Sequence, residues 1–185
     1  MEELVKEPKR LLRAKGKYKN KDAVENVIRY ITRTRVNESQ EKASELISYG
    51  GRGVSADSPE NVIMEMEKVQ EAYNKKSGRR VYHEFYLLKD SDFESMGKDY
   101  ETVQKFAHAC AGYYYNCGYQ VEYAVHKSHT YHIHIHFVYN SVSSVNGRKV
   151  KDYKGTLDAR EKLFDEIARE FHADCPIFCS SLKYI

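Results

Sequence analysis

Apolar and polar positions alternate most clearly in HKSHTYHIHIHFVYN, His126 to Asn140. A period of two marks a β-strand, whose successive side chains leave opposite faces. His132, His134, His136 and Asn140 therefore share one face, a polar platform, and Ile133, Ile135, Phe137 and Tyr139 share the other, a core face. The preceding run YQVEYAVH, Tyr119 to His126, predicts a second strand that returns antiparallel through the Lys127 to Tyr131 region.

Upstream the period changes to that of a helix. Val24, Val27, Ile28 and Ile31 follow the i, i+3, i+4, i+7 pattern and predict a helix over Asp22 to Ile31. At 100° per residue Tyr30 falls about 110° from the centre of that stripe, so it flanks the core. After a glycine-rich turn at Gly50, Gly51 and Gly53, Ser58 and Pro59 supply the cap and first residue of a helix running to about Tyr73. Arg80 to Leu88 predicts a strand, Tyr100 to Tyr115 a helix ended by Asn116 and Gly118, and Asn146-Gly147 a hairpin turn between Ser144 and Val150. Leu163, Phe164, Ile167 and Phe171 give a final amphipathic helix. The expected fold is α+β, a central antiparallel sheet with helices on one face and the other face free for ligand.

The histidines raise a question of reach. Neighbours at i and i+2 stand ~7 Å apart and can converge on one ion, whereas i and i+4 stand ~13 Å apart and cannot. One strand supplies two ligands, His134 and His136, and an antiparallel neighbour can bring His126 beside them. Three neutral imidazoles without a thiolate leave coordination positions open, which suits a catalytic or substrate-binding ion. The alternative is a histidine-rich surface strand that holds no ion.

Composition fits one compact domain of 185 residues with a formal net charge of +3. Lysines and arginines crowd the N-terminal fifth, so residues 1–21 read as a basic arm and 22–185 as the folded domain. Lys17, Lys19, Lys21, Arg29, Arg33 and Arg35 are the expected phosphate contacts. A solvated tail is the alternative for the first part of that stretch. No apolar run approaches a membrane span and the N-terminus lacks a signal peptide's hydrophobic segment, so the expected location is cytoplasmic, without membrane insertion. Cys110, Cys117, Cys175 and Cys179 fit no standard zinc spacing and read as reduced structural residues.

The segment His126 to Asn140 resembles the third motif of conjugative and mobilisation relaxases of the HUH endonuclease superfamily. In that resemblance His134-Ile135-His136 is the His-hydrophobic-His pair, His126 the upstream ligand, and Asn140 the polar residue closing the strand. NVIRYITRT, Asn26 to Thr34, resembles the first motif of the MOB-P class, whose helix-borne tyrosine is the nucleophile; here that is Tyr30. RRVYHEFYLL, Arg79 to Leu88, resembles the strand of the second motif. The three stand in the family's order. The acidic residue often found between the first histidine and the pair is missing from Lys127 to Tyr131, and His132, beyond ligand reach, is expected to support the site or touch DNA.

In the Val81 to Leu88 strand, resemblance selects His83 while parity favours Glu84. Val81, Phe85 and Leu87 make His83's face look like core, so Glu84 is ranked ahead of His83 as proton acceptor or partner of a ligand. The resemblance implies a divalent ion, Mg²⁺ or Mn²⁺, and nicking of single-stranded or melted origin-of-transfer DNA through a 5′-phosphotyrosine. Because the linkage keeps the phosphodiester's energy, the strand can be rejoined. It also implies accessory relaxosome proteins, a secretion-system coupling protein, and a chain that often continues beyond the catalytic domain. A rolling-circle initiator or single-tyrosine transposase would share the metal site but use Tyr153 or Tyr184. A metal-dependent hydrolase would use water, and a non-catalytic nucleic-acid-binding protein would need no tyrosine.

Overall fold

The computed structural model describes residues 8–128, 133–151 and 155–172. Five antiparallel strands form its sheet: β1 (Leu11–Arg13), β2 (Leu46–Arg52), β3 (Val81–Leu88), β4 (Val121–Lys127) and β5 (Ile133–Asn140), in the spatial order β1-β3-β5-β4-β2. Six helices accompany them: α1 (Ala23–Ile31), α2 (Gln40–Ala43), α3 (Pro59–Ala72), α4 (Asp90–Ser95), α5 (Tyr100–Asn116) and α6 (Thr156–Glu170). The histidine strand β5 is thus central, flanked by β3 and β4. None of the described helices is long and apolar enough to cross a membrane.

Local chemistry sets the helix boundaries. The Ser58 side chain accepts a hydrogen bond from the Asn61 amide, with Pro59 at the first helical position of α3. Asp99 does the same for the Glu101 and Thr102 amides at the start of α5. On α1 the expected stripe, Val24, Val27, Ile28 and Ile31, is buried.

The α+β antiparallel architecture is as the sequence predicts, but the helices do not keep to one face. Ile133, Ile135, Phe137 and Tyr139 pack with Phe106, Ala107 and Tyr114 of α5 and Phe164 of α6. The opposite face is covered over part of its area by α1 and α3, through Val24, Ile28, Val62 and Met66 against Val81, Ala124 and Val138. Burying each such large aliphatic or aromatic side chain is worth roughly 1.5–3 kcal/mol, so both layers hold the sheet.

Three further expectations change. Gly50 and Gly51 belong to β2 rather than to a turn, and a Cβ on Gly50 would fall 2.5 Å from Tyr123 Oη, which explains a glycine there. Part of the basic arm is an edge strand: Leu11 is fully buried and pairs across from Tyr86. Asn146-Gly147 does turn the chain, with Gly147 at φ 68°, but between a single bridged pair, Val142 and Lys149, and not in an extended hairpin.

Asn140 ends β5 as a structural clasp. Fully buried, it accepts from Gln70 Nε2 and donates through Nδ2 to the Met66 carbonyl and to Gln120 Oε1. It stands four positions beyond His136 on the strand, ~13 Å away and beyond contact, so the expectation that it supports the metal ligands gives way to one in which it ties α3 to the sheet.

Glu122 of β4 is also on the histidine face, paired across the sheet with Val138 and Gly51 and fully buried. Neither carboxylate oxygen has a hydrogen-bond partner among the described residues. Burial pushes its pKa up to about 9 from 4.5. The folded form therefore holds a proton that the unfolded chain releases, and stability is complete below pH 4.5 and declines as pH rises toward 9. The slope approaches about 1.4 kcal/mol per pH unit, or roughly 2.5 kcal/mol between pH 5 and 7. Glu122→Gln should remove this component: denaturant midpoints of wild type and variant should diverge as pH rises, with the variant the more stable at pH 8. Parallel profiles would mean that the carboxyl is charged and compensated.

Candidate functional site

The pairing of β4 with β5 sets His126 directly opposite His134 and Ala124 opposite His136. The small Ala124 side chain leaves room for His136 to lean toward His126. Ring centroids lie 5.2 Å apart for His126 and His134, 4.6 Å for His126 and His136, and 4.8 Å for His134 and His136. One nitrogen from each ring falls within 4.8 Å of the others, a spacing that could hold one ion.

The rings are also oriented for it. His126 Nε2 lies 2.6 Å from the carbonyl of Ile31, the last residue of α1. Nε2–H donates there, which leaves the Nδ1 lone pair facing the cluster. Arg33 Nη2 reaches that Nδ1 at 3.3 Å, a contact that a ligated ion would replace. His136 Nδ1 is 2.9 Å from His83 Nε2, and His136 Nε2 is buried without a hydrogen-bond partner among the described residues. Burial depresses the pKa of all four histidines, to about 3 for His126 and about 4 for His83, so they are neutral donors at physiological pH. An all-imidazole set suits transition-metal ions better than Mg²⁺, so of the two expected ions Mn²⁺ is the better matched.

His134→Ala and His136→Ala should each reduce Mn²⁺ binding below calorimetric detection while leaving the far-UV circular dichroism and the cooperative melt in place, since neither histidine belongs to the apolar clusters that Ile133, Ile135, Phe137 and Tyr139 on one face and Val138 on the other help to form. Binding that survives either change would disperse the triad.

His83 and Glu84 exchange their expected positions. In the β3–β5 register His83 faces Val138 and Phe85 faces His136, so His83 shares the histidine face; Glu84 is opposite Phe137 and points into the other layer. Parity misled because β3 is apolar on both sides. Glu84 is fully buried and bonded to Arg160, Arg13, Tyr114 and Tyr139. Burial alone would raise its pKa, but the Arg160 charge and hydrogen bond, with help from Arg13 and Tyr114, hold it below the ordinary value. Glu84 therefore cannot be the proton acceptor at the histidines.

Tyr30 projects from the last turn of α1 onto the cluster. Its ring stands edge-on to His136 at 5.8 Å and to His83 at 6.0 Å. The Arg33 and Arg35 guanidiniums stack on it at 5.0 and 4.7 Å. Arg33 is anchored by Glu45 at 2.5 Å and adopts φ 55° just past the helix end, which turns its side chain back over the tyrosine. Arg29 is further out and bonds Glu25 and Glu60. Lys17, Lys19 and Lys21 are exposed on the segment leading into α1.

His132, Tyr153, Tyr184, Cys175 and Cys179 lie outside the described residues. Tyr18 escaped sequence reasoning, which weighed only charge in its segment; its hydroxyl lies 3.2 Å from His83 Nδ1. The one local hint is Gly16, where a Cβ would meet the Tyr18 ring at 2.3 Å.

Compared with known proteins, residues 30–173 match the relaxase family, in the description "MobA/VirD2-like, nuclease domain". No curated protein matches the chain.

Proposed function

Because the chain belongs to the MobA/VirD2-like relaxase family, a family of DNA-nicking nucleases, we propose that it nicks one strand at an origin of transfer through Tyr30 and holds the 5′ end covalently, as MOB-P relaxases do. The observation that carries this reading is the position of Tyr30, edge-on to His136 and His83 with two arginine guanidiniums over its ring. A nucleophile has to stand within reach of the bound phosphate, where cations can meet the charge that develops on it.

Tyr30 Oη gives up its proton to water and attacks the scissile phosphorus, the bond to the 3′-oxygen breaks, and the departing oxygen takes a proton from water to become a 3′-hydroxyl, so the exchange is proton-neutral. The phosphodiester is exchanged for a phosphotyrosine, so attack by a 3′-hydroxyl reverses the step and rejoins the strand. His126, His134 and His136 would hold a divalent ion, Mn²⁺ or Mg²⁺, which would supply Lewis-acid charge for the phosphate. Arg33 and Arg35 bring two further cations to the same place, Arg33 with its side chain largely shielded from solvent and Arg35 exposed beside it. Phe85, half-buried beside His136 with ring centroids 6.0 Å apart, offers a face on which an unpaired base can stack. Lys17, Lys19 and Lys21 extend the positive surface along the strand's path, and accessory relaxosome proteins and a coupling protein complete the transfer machinery.

The experiment is to incubate the protein with Mn²⁺ and single-stranded oligonucleotides that span candidate origins. A denaturation-resistant complex with the 5′-phosphate fragment, and a released fragment ending in a free 3′-hydroxyl, are expected. Chelation should prevent both. Cleavage without any complex would favour a water-using nuclease, and binding without cleavage a non-catalytic protein.

A further inference from the structure

Two tyrosines approach His83, with ring centroids 6.2 Å away for Tyr18 and 6.0 Å for Tyr30, and only Tyr18 is hydrogen-bonded to it. Tyr18 Oη, His83 and His136 form a continuous chain: Oη lies 3.2 Å from His83 Nδ1, and His83 Nε2 lies 2.9 Å from His136 Nδ1. His136 Nε2 stands at the far end, buried and facing the triad.

Each neutral imidazole carries one proton, so the chain has a direction. A ligand nitrogen must present a lone pair. If His136 ligates through Nε2, its proton is on Nδ1 and is donated to His83 Nε2. His83 then carries its own proton on Nδ1 and donates it to Tyr18 Oη. The opposite direction puts a proton on His136 Nε2, where no acceptor stands among the described residues and no ion can bind.

We propose that Tyr18 is a positioning residue for the metal centre, the terminal acceptor that lets His83 hold His136 in its ligating tautomer. This inference rests on the metal site described above. It also separates the two tyrosines. With an ion bound, His83 Nδ1 is a donor and cannot take a proton from Tyr18, so His83 is no base for that hydroxyl. The segment is fixed for such a role: the Tyr18 carbonyl accepts from the Arg80 amide at 2.8 Å, and the Arg79 guanidinium lies over the Tyr18 ring at 5.7 Å. Tyr18 precedes the family-matched residues 30–173, so the arm contributes a part of the site that the match does not contain.

The test is calorimetric titration of wild type and Tyr18→Phe with Mn²⁺, together with imidazole ¹⁵N spectra of the Zn²⁺-loaded protein, a diamagnetic probe. Phenylalanine keeps the ring and removes the acceptor, so ion binding then leaves a buried His83 N–H unpaired. Mn²⁺ affinity should fall roughly tenfold with the melting temperature of the metal-free protein nearly unchanged. In wild type His83 should be the Nδ1–H tautomer when loaded. At saturating Mn²⁺, Tyr18→Phe should still form the adduct on Tyr30. Equal affinity of the two proteins, an Nε2–H tautomer at His83, or an adduct mapped to Tyr18 would each overturn the assignment. Wild type that binds no Mn²⁺ would overturn the underlying metal reading and the relay with it.

Discussion

Tyr30→Phe should bind a nick-site oligonucleotide about as tightly as wild type and form no covalent complex with it, a loss of at least roughly a thousandfold in nicking. The substitution keeps the ring that meets His136 and His83 and on which Arg33 and Arg35 stack, and removes only the attacking oxygen. Mn²⁺ affinity should be unchanged, because none of the three triad nitrogens belongs to this residue. A competing strand with a 3′-hydroxyl, added to trapped wild type, should be joined to the held fragment. Gel shift, adduct trapping and peptide mapping read these outcomes separately. Mapping to Tyr153 or Tyr184 would replace the relaxase reading with that of a replication initiator.

Glu84→Gln should be among the most destabilising single substitutions in the protein. The change is nearly isosteric, yet it removes the one negative charge that Arg160 and Arg13 share beneath Tyr114 and Tyr139. Arg160 is itself 6% exposed, so its charge would remain buried without a counterion. Loss of one partner of such a pair costs roughly 3–5 kcal/mol, about 10 °C in melting temperature for a domain of this size. Acid should act on wild type in the same sense. Because the folded pKa of Glu84 lies below the ordinary 4.5, the stability it contributes is complete above that value and is lost as pH falls through the folded pKa. Adding Arg160→Met to Glu84→Gln should recover part of the loss, and the double-mutant cycle measures the coupling. Mn²⁺ affinity of the folded variant should stay within about twofold of wild type, since Glu84 faces away from the histidines. A large loss of metal affinity with intact stability would restore Glu84 to the site.

The residues whose role depends on local pattern were legible in the sequence. Alternation through β5 gave the His134 and His136 pair and its core face, and the stripe on α1 left Tyr30 at its flank, where it stands. The antiparallel return that brings His126 across was inferable because both strands were. What failed depended on the layers above and below. Parity in β3 carries no sign when Val81 packs under α1 and α3 while Tyr86 packs under α5 and α6, so the choice between His83 and Glu84 needed the register. Strand β1 was hidden because three residues within a basic stretch are too few to show a period, and Gly50 and Gly51 look like a turn until Tyr123 is known to lie over the first and Val54 over the second.

The sheet order has a consequence for how the protein comes into being. Its middle strand is the last of the five to be synthesised. Until β5 leaves the ribosome, β1 with β3 and β2 with β4 are two separate ribbons with no ladder between them, and neither has the neighbour that a stable sheet requires. Tyr30 is exposed to the cell early, but His126 gains its partners only when β5 inserts between the ribbons. Long-range closure of this kind is slow and cooperative. A nascent or truncated chain that ends before β5 therefore has the proposed nucleophile without the proposed metal centre, and the ability to cut DNA should arrive in one step, with completion of the fold.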